Sequence, residues 1–284
     1  MRKYVNIALA VLVAVMCILP SCSPSKGVKA VSFNIRLSPN DSFDGGNNWN
    51  YRQDAVIKFI LTEQPDVFGV QEAIYHQAKY MEENLPGYTK YGVDRDGGLE
   101  KGEAESNAVF FKTEKYKLLD KGTFWLSQTP DEPSRGWDAA CHRVVTWVRL
   151  KEKGLFGKEF YFFNTHFDHI GQVARRESAK LLVSKVEEMV QEDVPVVITG
   201  DFNTNVEDLA MAPVVLSFKD ARKVSPVTDS EGTFNNWGRN EKVTIIDHIF
   251  FKNLTPLKFR TVKENYGAPY ISDHYPVVFE GQFE

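Results

Sequence analysis

Residues 196–203, Val-Val-Ile-Thr-Gly-Asp-Phe-Asn, pass directly from an apolar run to a carboxylate and an amide. β-Branched residues followed by glycine are typical of a buried strand that ends in a turn. The same change from apolar to polar residues occurs after five other runs, which lead to Asn34, Glu72, His166, Asp247 and Asp273. Because ligands of open α/β sheets bind at strand ends, this repetition predicts one polar pocket on a rigid frame.

The remaining pattern predicts many strands and a few long helices. Helical periodicity covers residues 51–63 and 172–192. Runs of strand type cover residues 28–37, 67–71, 108–112, 144–150, 160–165, 194–199, 244–251 and 276–279. No repeat and no linker divides residues 28–284. We therefore predict one domain with an α/β or α+β layered sandwich.

The composition excludes several classes of protein. The chain has 284 residues, of which 43% are hydrophobic and 25% charged, as in a folded globular protein. The formal net charge is −4, so there is no general attraction to nucleic acid or anionic membranes. Three cysteines cannot build a disulfide framework.

The N-terminal residues have the pattern of a bacterial lipoprotein signal peptide. Arg2 and Lys3 precede an apolar run at residues 7–19, which is shorter than the ~20 residues needed to span a bilayer. We predict a signal peptide at residues 1–21, lipidation of Cys22 and a tether at residues 22–27. The mature protein would be lipid-anchored in the envelope of a bacterium. The alternative is ordinary signal cleavage that leaves Cys22 as a free thiol.

Three of the strand-end residues have the chemistry of a metal site. Glu72, Asp273 and the amide of Asn34 offer hard oxygen ligands. Such ligands suit Mg²⁺ or Mn²⁺, whereas zinc prefers histidine and cysteine. We therefore predict Mg²⁺ (or Mn²⁺) as the cofactor.

Other strand-end residues suggest phosphoryl chemistry. Asp201 could orient or deprotonate an attacking water, while Asn203 holds a phosphoryl oxygen. His166 and His274 could donate hydrogen bonds to a phosphoryl group and, as imidazolium ions, stabilise its charge. Each would need a carboxylate behind it, and Asp247 and Glu105 are available. Together these residues indicate metal-assisted phosphoryl hydrolysis.

The chain resembles the endonuclease/exonuclease/phosphatase superfamily over residues 28–284. The resemblance rests on six motifs in the family's order: residues 32–36 (SFNIR), 70–72 (VQE), 164–166 (NTH), 200–203 (GDFN), 246–250 (IDHIF) and 272–277 (SDHYPV). It implies a four-layer α/β/β/α sandwich of the DNase I type.

The resemblance also implies individual roles. Asn34 and Glu72 look like the main metal-site residues, with Asp273 nearby. Asp201 looks like the group that activates water, with Asn203 beside it. His274, held by Asp247, looks like a phosphate-contacting histidine; His166 occupies the other such position, and Glu105 resembles the carboxylate that supports it.

Further residues are predicted to line the substrate site. A planar guanidinium matches the geometry of phosphate, so Arg52 and Arg143 are candidate phosphate ligands. Asp168 and His169 directly follow the strand that carries His166 and are expected to line the pocket. The alternatives are a packing role for the arginines and a strand cap for His169.

The substrate class remains open between several members of the superfamily. The acidic chain lacks a Lys/Arg cluster, which argues against a nuclease that wraps duplex DNA. We favour a phosphodiesterase or phosphatase that acts on small or short phosphorylated molecules. A secreted or envelope nuclease, or a sphingomyelinase-like phosphodiesterase, is the alternative. A non-catalytic binding module is disfavoured because all the catalytic residue types are present. A monomer anchored to the membrane only by lipid is expected.

Overall fold

The structure is a computed structural model that describes residues 27–98, 104–240, 242 and 244–284. The predicted signal peptide, the predicted lipidation site Cys22 and all of the tether except Gly27 lie outside these residues. Within the described ranges, no helix combines the length and the apolar character needed to cross a bilayer.

The described residues form strands and helices that alternate along the chain. The strands are β1 (Gly27–Asn34), β2 (Val67–Gln71), β3 (Tyr88–Tyr91), β4 (Val109–Lys112), β5 (Tyr116–Trp125), β6 (Val144–Glu152), β7 (Glu159–His166), β8 (Val196–Asp201), β9 (Lys219–Asp220), β10 (Asp247–Lys252), β11 (Leu254–Thr261) and β12 (Val277–Phe283). The helices are α1 (Trp49–Glu63), α2 (Tyr75–Asn84), α3 (Gln172–Met189), α4 (Ala212–Ser217) and α5 (Ala221–Val224).

The strands form two mixed sheets. In the described part of the chain, the first sheet has the order β11-β12-β1-β2-β4-β3 and the second the order β5-β6-β7-β8-β10-β9. β1 pairs in parallel with β2, and β7 pairs in parallel with β8. Each parallel pair is joined by a crossover that contains a helix, α1 in the first sheet and α3 in the second, as parallel strands require.

Three apolar cores separate four layers. One core lies between the first sheet and α1, where Phe33 meets Phe59. A second core lies between the two sheets and contains Phe162 and Val277. A third lies between the second sheet and α3 and contains Leu182. Alternate residues of one strand enter different cores, because successive side chains point to opposite faces. This α/β/β/α sandwich confirms the predicted fold class.

Close approach of the two sheets brings their strand ends together. Gly69 of β2 lies under the Asn164 side chain of β7, and a Cβ atom at this position would stand 2.3 Å from the Asn164 amide. Asn164 donates from Nδ2 to the Val70 carbonyl at 2.9 Å and accepts from Gln71 Nε2 at 2.6 Å. The glycine therefore permits a direct polar contact between the sheets beneath the polar pocket.

Candidate active site

The polar ends of the central strands meet at one edge of the sandwich. The register of the second sheet places Asp201 opposite both His166 and Asp247. Asn34 ends β1 in the first sheet, and its Nδ2 donates across to Asp201 Oδ2 at 3.0 Å. The strand ends that the sequence pattern selected therefore lie together in the structure.

Asn34 organises the carboxylates of this site. Its Nδ2 donates to Glu72 Oε1 at 2.9 Å as well as to Asp201, and its Oδ1 accepts the Arg36 backbone N–H at 2.9 Å. Glu72 Oε2 accepts the Leu37 backbone N–H at 3.0 Å. The Asn34 oxygen thus faces away from the carboxylates, so in this orientation Asn34 positions Glu72 and Asp201. Its predicted role as a metal ligand requires the amide to turn over.

The arrangement of donors fits a divalent cation. Glu72, Asp201 and His166 each offer one ligand atom, and these three atoms lie within 4.8 Å of one another. Asp273 lines the same cleft as Glu72. Carboxylate oxygens of this kind suit Mg²⁺ or Mn²⁺, which bind through one or two carboxylates and keep several waters. Glu72 and Asp273 would hold the cation, as the sequence predicts.

His274 and Asp247 form a buried charged pair. His274 Nδ1 lies 2.8 Å from Asp247 Oδ2, and His274 Nε2 faces Asp201 Oδ2 at 3.8 Å. Burial lowers the pKa of His274, but the charges of Asp247 and Asp201 outweigh it and raise the pKa well above its ordinary value. His274 is therefore an imidazolium at neutral pH, with Nε2–H directed into the cleft.

Replacing Asp247 with asparagine is expected to lower kcat by about 10²-fold. The change removes the charge that keeps His274 protonated and the acceptor that fixes its ring. Steady-state kinetics with a phosphate ester would measure the effect, and a thermal melt would show that the variant is folded. An unchanged kcat would contradict the role given to this pair.

His166 differs from the prediction in its charge. Its Nε2 lies 2.9 Å from Asn203 Nδ2, which makes Nε2 the acceptor and leaves the hydrogen on Nδ1. Burial, followed by the charges of Arg143 and His274, lowers its pKa well below the ordinary value. The expectation of an imidazolium here is therefore wrong. Glu105 stands 3.9 Å from Nδ1, too far for the predicted supporting hydrogen bond.

Asp201 is placed to accept a proton. Burial raises its pKa to about 7, and the nearby charge of Asp247 acts in the same direction. Its Oδ1 accepts the Asn203 backbone N–H at 2.9 Å, which fixes the carboxylate. A carboxyl group whose pKa lies near the working pH suits general base catalysis.

This pKa leads to a prediction about pH. The acid limb of kcat/KM is expected near pH 7 at low Mg²⁺, because protonated Asp201 cannot accept a proton. The limb is expected to move to lower pH as Mg²⁺ increases, since cation and proton compete for the same carboxylate cluster. Measuring kcat/KM against pH at two Mg²⁺ concentrations tests both statements. A limb that ignores the metal concentration would contradict them.

A cationic wall faces these carboxylates across the cleft. Arg143 and His169 line the cleft, and Arg143 Nη2 lies 2.9 Å from His169 Nδ1. Asp168 does not line the cleft as predicted: it is fully buried and approaches Arg143 Nε at 3.3 Å. Although burial raises the pKa of Asp168, bonds from the Gly171 and Ile170 backbone N–H groups and the Arg143 charge bring it to about 2. Asp168 therefore positions Arg143.

The predicted role of Arg52 in substrate binding is wrong. Its side chain is buried, and its guanidinium donates to four backbone carbonyls instead of facing the cleft. The acceptors are the carbonyl oxygens of Asn47, Ile35, Ile271 and Arg36. The guanidinium also lies over the rings of Trp49 and Trp237. Arg52 thus holds together the loops that carry the strand-end residues.

Sequence reasoning missed two arginines and two strained residues of the cleft. Arg36 and Arg95 line it, and Arg95 Nη1 bonds Glu105 Oε1 at 2.7 Å. Glu72 and Asn203 have φ angles of 62° and 51°, in the left-handed region that non-glycine residues seldom adopt. Such strain persists where surrounding contacts fix the backbone, often at functional sites. No sequence pattern signals these backbone conformations.

The cleft is large enough for a small phosphorylated molecule. Its volume is about 520 Å³, within the range of small-molecule sites. Cys141, expected in the core, is half-buried and lines this cleft. Burial raises the pKa of its thiol, which agrees with the expectation that it is not a nucleophile.

Two packed sheets, with carboxylates and histidines gathered at their strand ends, define an α/β/β/α phosphoester hydrolase. Residues 31–274 match the model of the Endonuclease/Exonuclease/phosphatase family, and the chain belongs to this family. Its members act on phosphorylated substrates and generally depend on divalent metals.

Three solved structures are similar over nearly their whole length. A family protein from Bacteroides thetaiotaomicron is 36% identical, with a TM-score of 0.85, over 92% of this chain and 99% of that one. A family protein from Bacteroides vulgatus is 38% identical, with a TM-score of 0.84, over 91% and 99%. A mannosyl-6-phosphatase from Bacteroides thetaiotaomicron is 37% identical, with a TM-score of 0.83, over 90% and 100%.

Proposed function

We propose that this protein is a Mg²⁺- or Mn²⁺-dependent phosphatase that releases phosphate from small phosphomonoesters, sugar phosphates in particular. The observation that carries the proposal is the single cleft in which Asp201, the His274–Asp247 pair and the Glu72–Asp273 carboxylates lie together. A similar protein with 37% identity is a mannosyl-6-phosphatase, which supports a monoester substrate.

Each group has a distinct role in the proposed reaction. Asp201 accepts a proton from water, whose oxygen forms the new bond to phosphorus as the ester P–O bond breaks. His274 donates from Nε2 to a phosphoryl oxygen and stabilises its growing negative charge. Asn203 orients neutral His166 beside the same group. When bound, a divalent cation supplies Lewis-acid stabilisation of the phosphoryl and leaving oxygens.

The cationic wall would bind the substrate phosphate from the other side. Arg143 is buried and held by Asp168, so its guanidinium loses little freedom when it binds an anion. His169 lies against it and would contact the same anion or the rest of the substrate. The balance of this wall and the acidic half suits one phosphate group better than a long polyanion.

A substrate panel tests the proposal. Phosphate release from mannose 6-phosphate and glucose 6-phosphate would be compared with cleavage of a generic diester, single-stranded DNA, RNA and sphingomyelin. We expect the highest kcat/KM with a sugar phosphate. Faster cleavage of DNA or RNA would instead identify a nuclease, and faster cleavage of sphingomyelin a lipid phosphodiesterase. Hydrolysis of none of them by a correctly folded, metal-loaded protein would reject the proposal.

We also propose that the protein is attached to the bacterial envelope through a lipid on Cys22. The support is the charged and apolar leader that directly precedes this cysteine. Expressed in a bacterial host, the full chain should partition into detergent, and Cys22→Ala should abolish this partition. Equal detergent partition of both proteins would reject the lipid anchor.

A further inference from the structure

Arg36 lies between the two carboxylates that would hold the metal. Its Nη1 is 3.8 Å from Glu72 Oε2, and its Nε is 3.6 Å from Asp273 Oδ2. Both separations are too long for hydrogen bonds but short enough for strong attraction between the charges. Arg36 therefore offsets the negative charge of Glu72 and Asp273 without occupying their oxygens.

Asp44 holds the Arg36 guanidinium at this distance. Its Oδ2 accepts from Arg36 Nε at 2.9 Å and its Oδ1 from Nη2 at 3.4 Å. Asp44 precedes the short 3-10 helix Gly45–Asn47, where an aspartate usually caps the backbone, yet it makes no such bond. The carboxylate is directed to Arg36 instead.

The backbone around this contact is fixed in an uncommon conformation. Arg36 and Asp44 both have a φ of 58°, in the left-handed region. The Arg36 carbonyl accepts from Arg52 Nη2 at 2.7 Å and from Gln77 Nε2 at 2.9 Å. These bonds anchor the Arg36 backbone, so the remaining freedom of its side chain is set mainly by Asp44.

We propose that Asp44 is a positioning residue that sets the metal affinity of the site through Arg36. Held by Asp44, the guanidinium leaves the oxygens of Glu72 and Asp273 open to a divalent cation. Released from Asp44, it would close the short gap to those oxygens and compete with the cation for them. This inference rests on the proposed metal dependence.

The charges support this direction of effect. Burial lowers the pKa of Arg36, but the Asp44 hydrogen bond and the charges of Asp273 and Glu72 outweigh it and leave the pKa raised. Arg36 is thus a permanent cation and cannot relieve the competition by losing its proton. Only a change of position can do so, and Asp44 controls that position.

The test is a titration of the purified, metal-stripped protein with Mn²⁺ by calorimetry, without substrate. Asp44→Asn should weaken Mn²⁺ binding by about tenfold, as for other residues that orient metal ligands. Arg36→Gln removes the competing cation and should tighten binding by about threefold. In the Arg36→Gln background, adding Asp44→Asn should have no further effect. Glu231→Gln, which breaks an exposed ion pair with Lys263, is the matched control.

Two results would overturn the inference. One is a Kd of Asp44→Asn equal to that of the control, or a loss of the same size in both backgrounds, since Asp44 would then not act through Arg36. The other is weaker Mn²⁺ binding by Arg36→Gln, which remains informative if Asp44→Asn does not fold. Mn²⁺ binding without hydrolysis of any panel substrate would reject the proposed function alone. Metal-dependent hydrolysis with unaltered Mn²⁺ binding by Asp44→Asn would reject this inference alone.

Discussion

Replacing Asp201 with asparagine is expected to lower kcat for phosphate-ester hydrolysis by about 10²- to 10⁴-fold, because the variant cannot accept a proton from water. Asparagine has nearly the same shape, and its Oδ1 can still accept the Asn203 backbone N–H. The loss should therefore appear in kcat with the fold intact. Steady-state kinetics at saturating Mg²⁺ would measure it.

The control for this variant is Asp120→Asn. Asp120 is an exposed aspartate of β5 in the same sheet as Asp201, outside the cleft. It should hydrolyse substrate at the wild-type rate. If Asp201→Asn retained activity within about threefold of this control, the general base would have to be another group.

Replacing Arg52 with methionine is expected to lower the free energy of unfolding by about 3 kcal/mol or more. Methionine fills much of the same volume but donates no hydrogen bonds, so the carbonyls of Ile35, Arg36 and Ile271 lose their donor. Each buried carbonyl left unpaired costs about 1–3 kcal/mol, partly offset because a charge is no longer buried. Burial already lowers the pKa of Arg52 to about 10.

Urea unfolding of Arg52→Met, measured beside Arg149→Met, tests this result. Arg149 is 40% exposed and pairs with Glu159 at the surface, so its loss should change stability by less than about 0.5 kcal/mol. Equal stability of the two variants would show that Arg52 does not organise the strand-end loops.

The strand ends were predictable because their signal is local. A buried strand needs consecutive apolar residues, and a polar residue directly after it must lie near the sheet edge. Asn34, Glu72, Asp201 and Asp273 were located in this way. α2 and the edge strand β3 were not, because their residues are largely polar or half-buried and show no clear periodicity.

The roles of the arginines depended on tertiary packing and could not be predicted. Arg52 and Arg143 have the same chemistry in the sequence, yet Arg52 bonds a carbonyl 219 residues away, whereas Arg143 faces the cleft. The charge of His166 likewise depends on its burial and on Arg143, which lies on another strand end. Spacing along the chain contains no information about these contacts.

The central claim is that this cleft hydrolyses phosphate monoesters with a divalent metal. The most direct test is phosphate release from mannose 6-phosphate by the purified protein with Mg²⁺, with Mn²⁺ and with EDTA, beside Asp201→Asn. The account predicts release that requires metal, stops in EDTA, returns when metal is restored and is nearly absent in the variant. Release that persists in EDTA, or that is equal in Asp201→Asn, would contradict it.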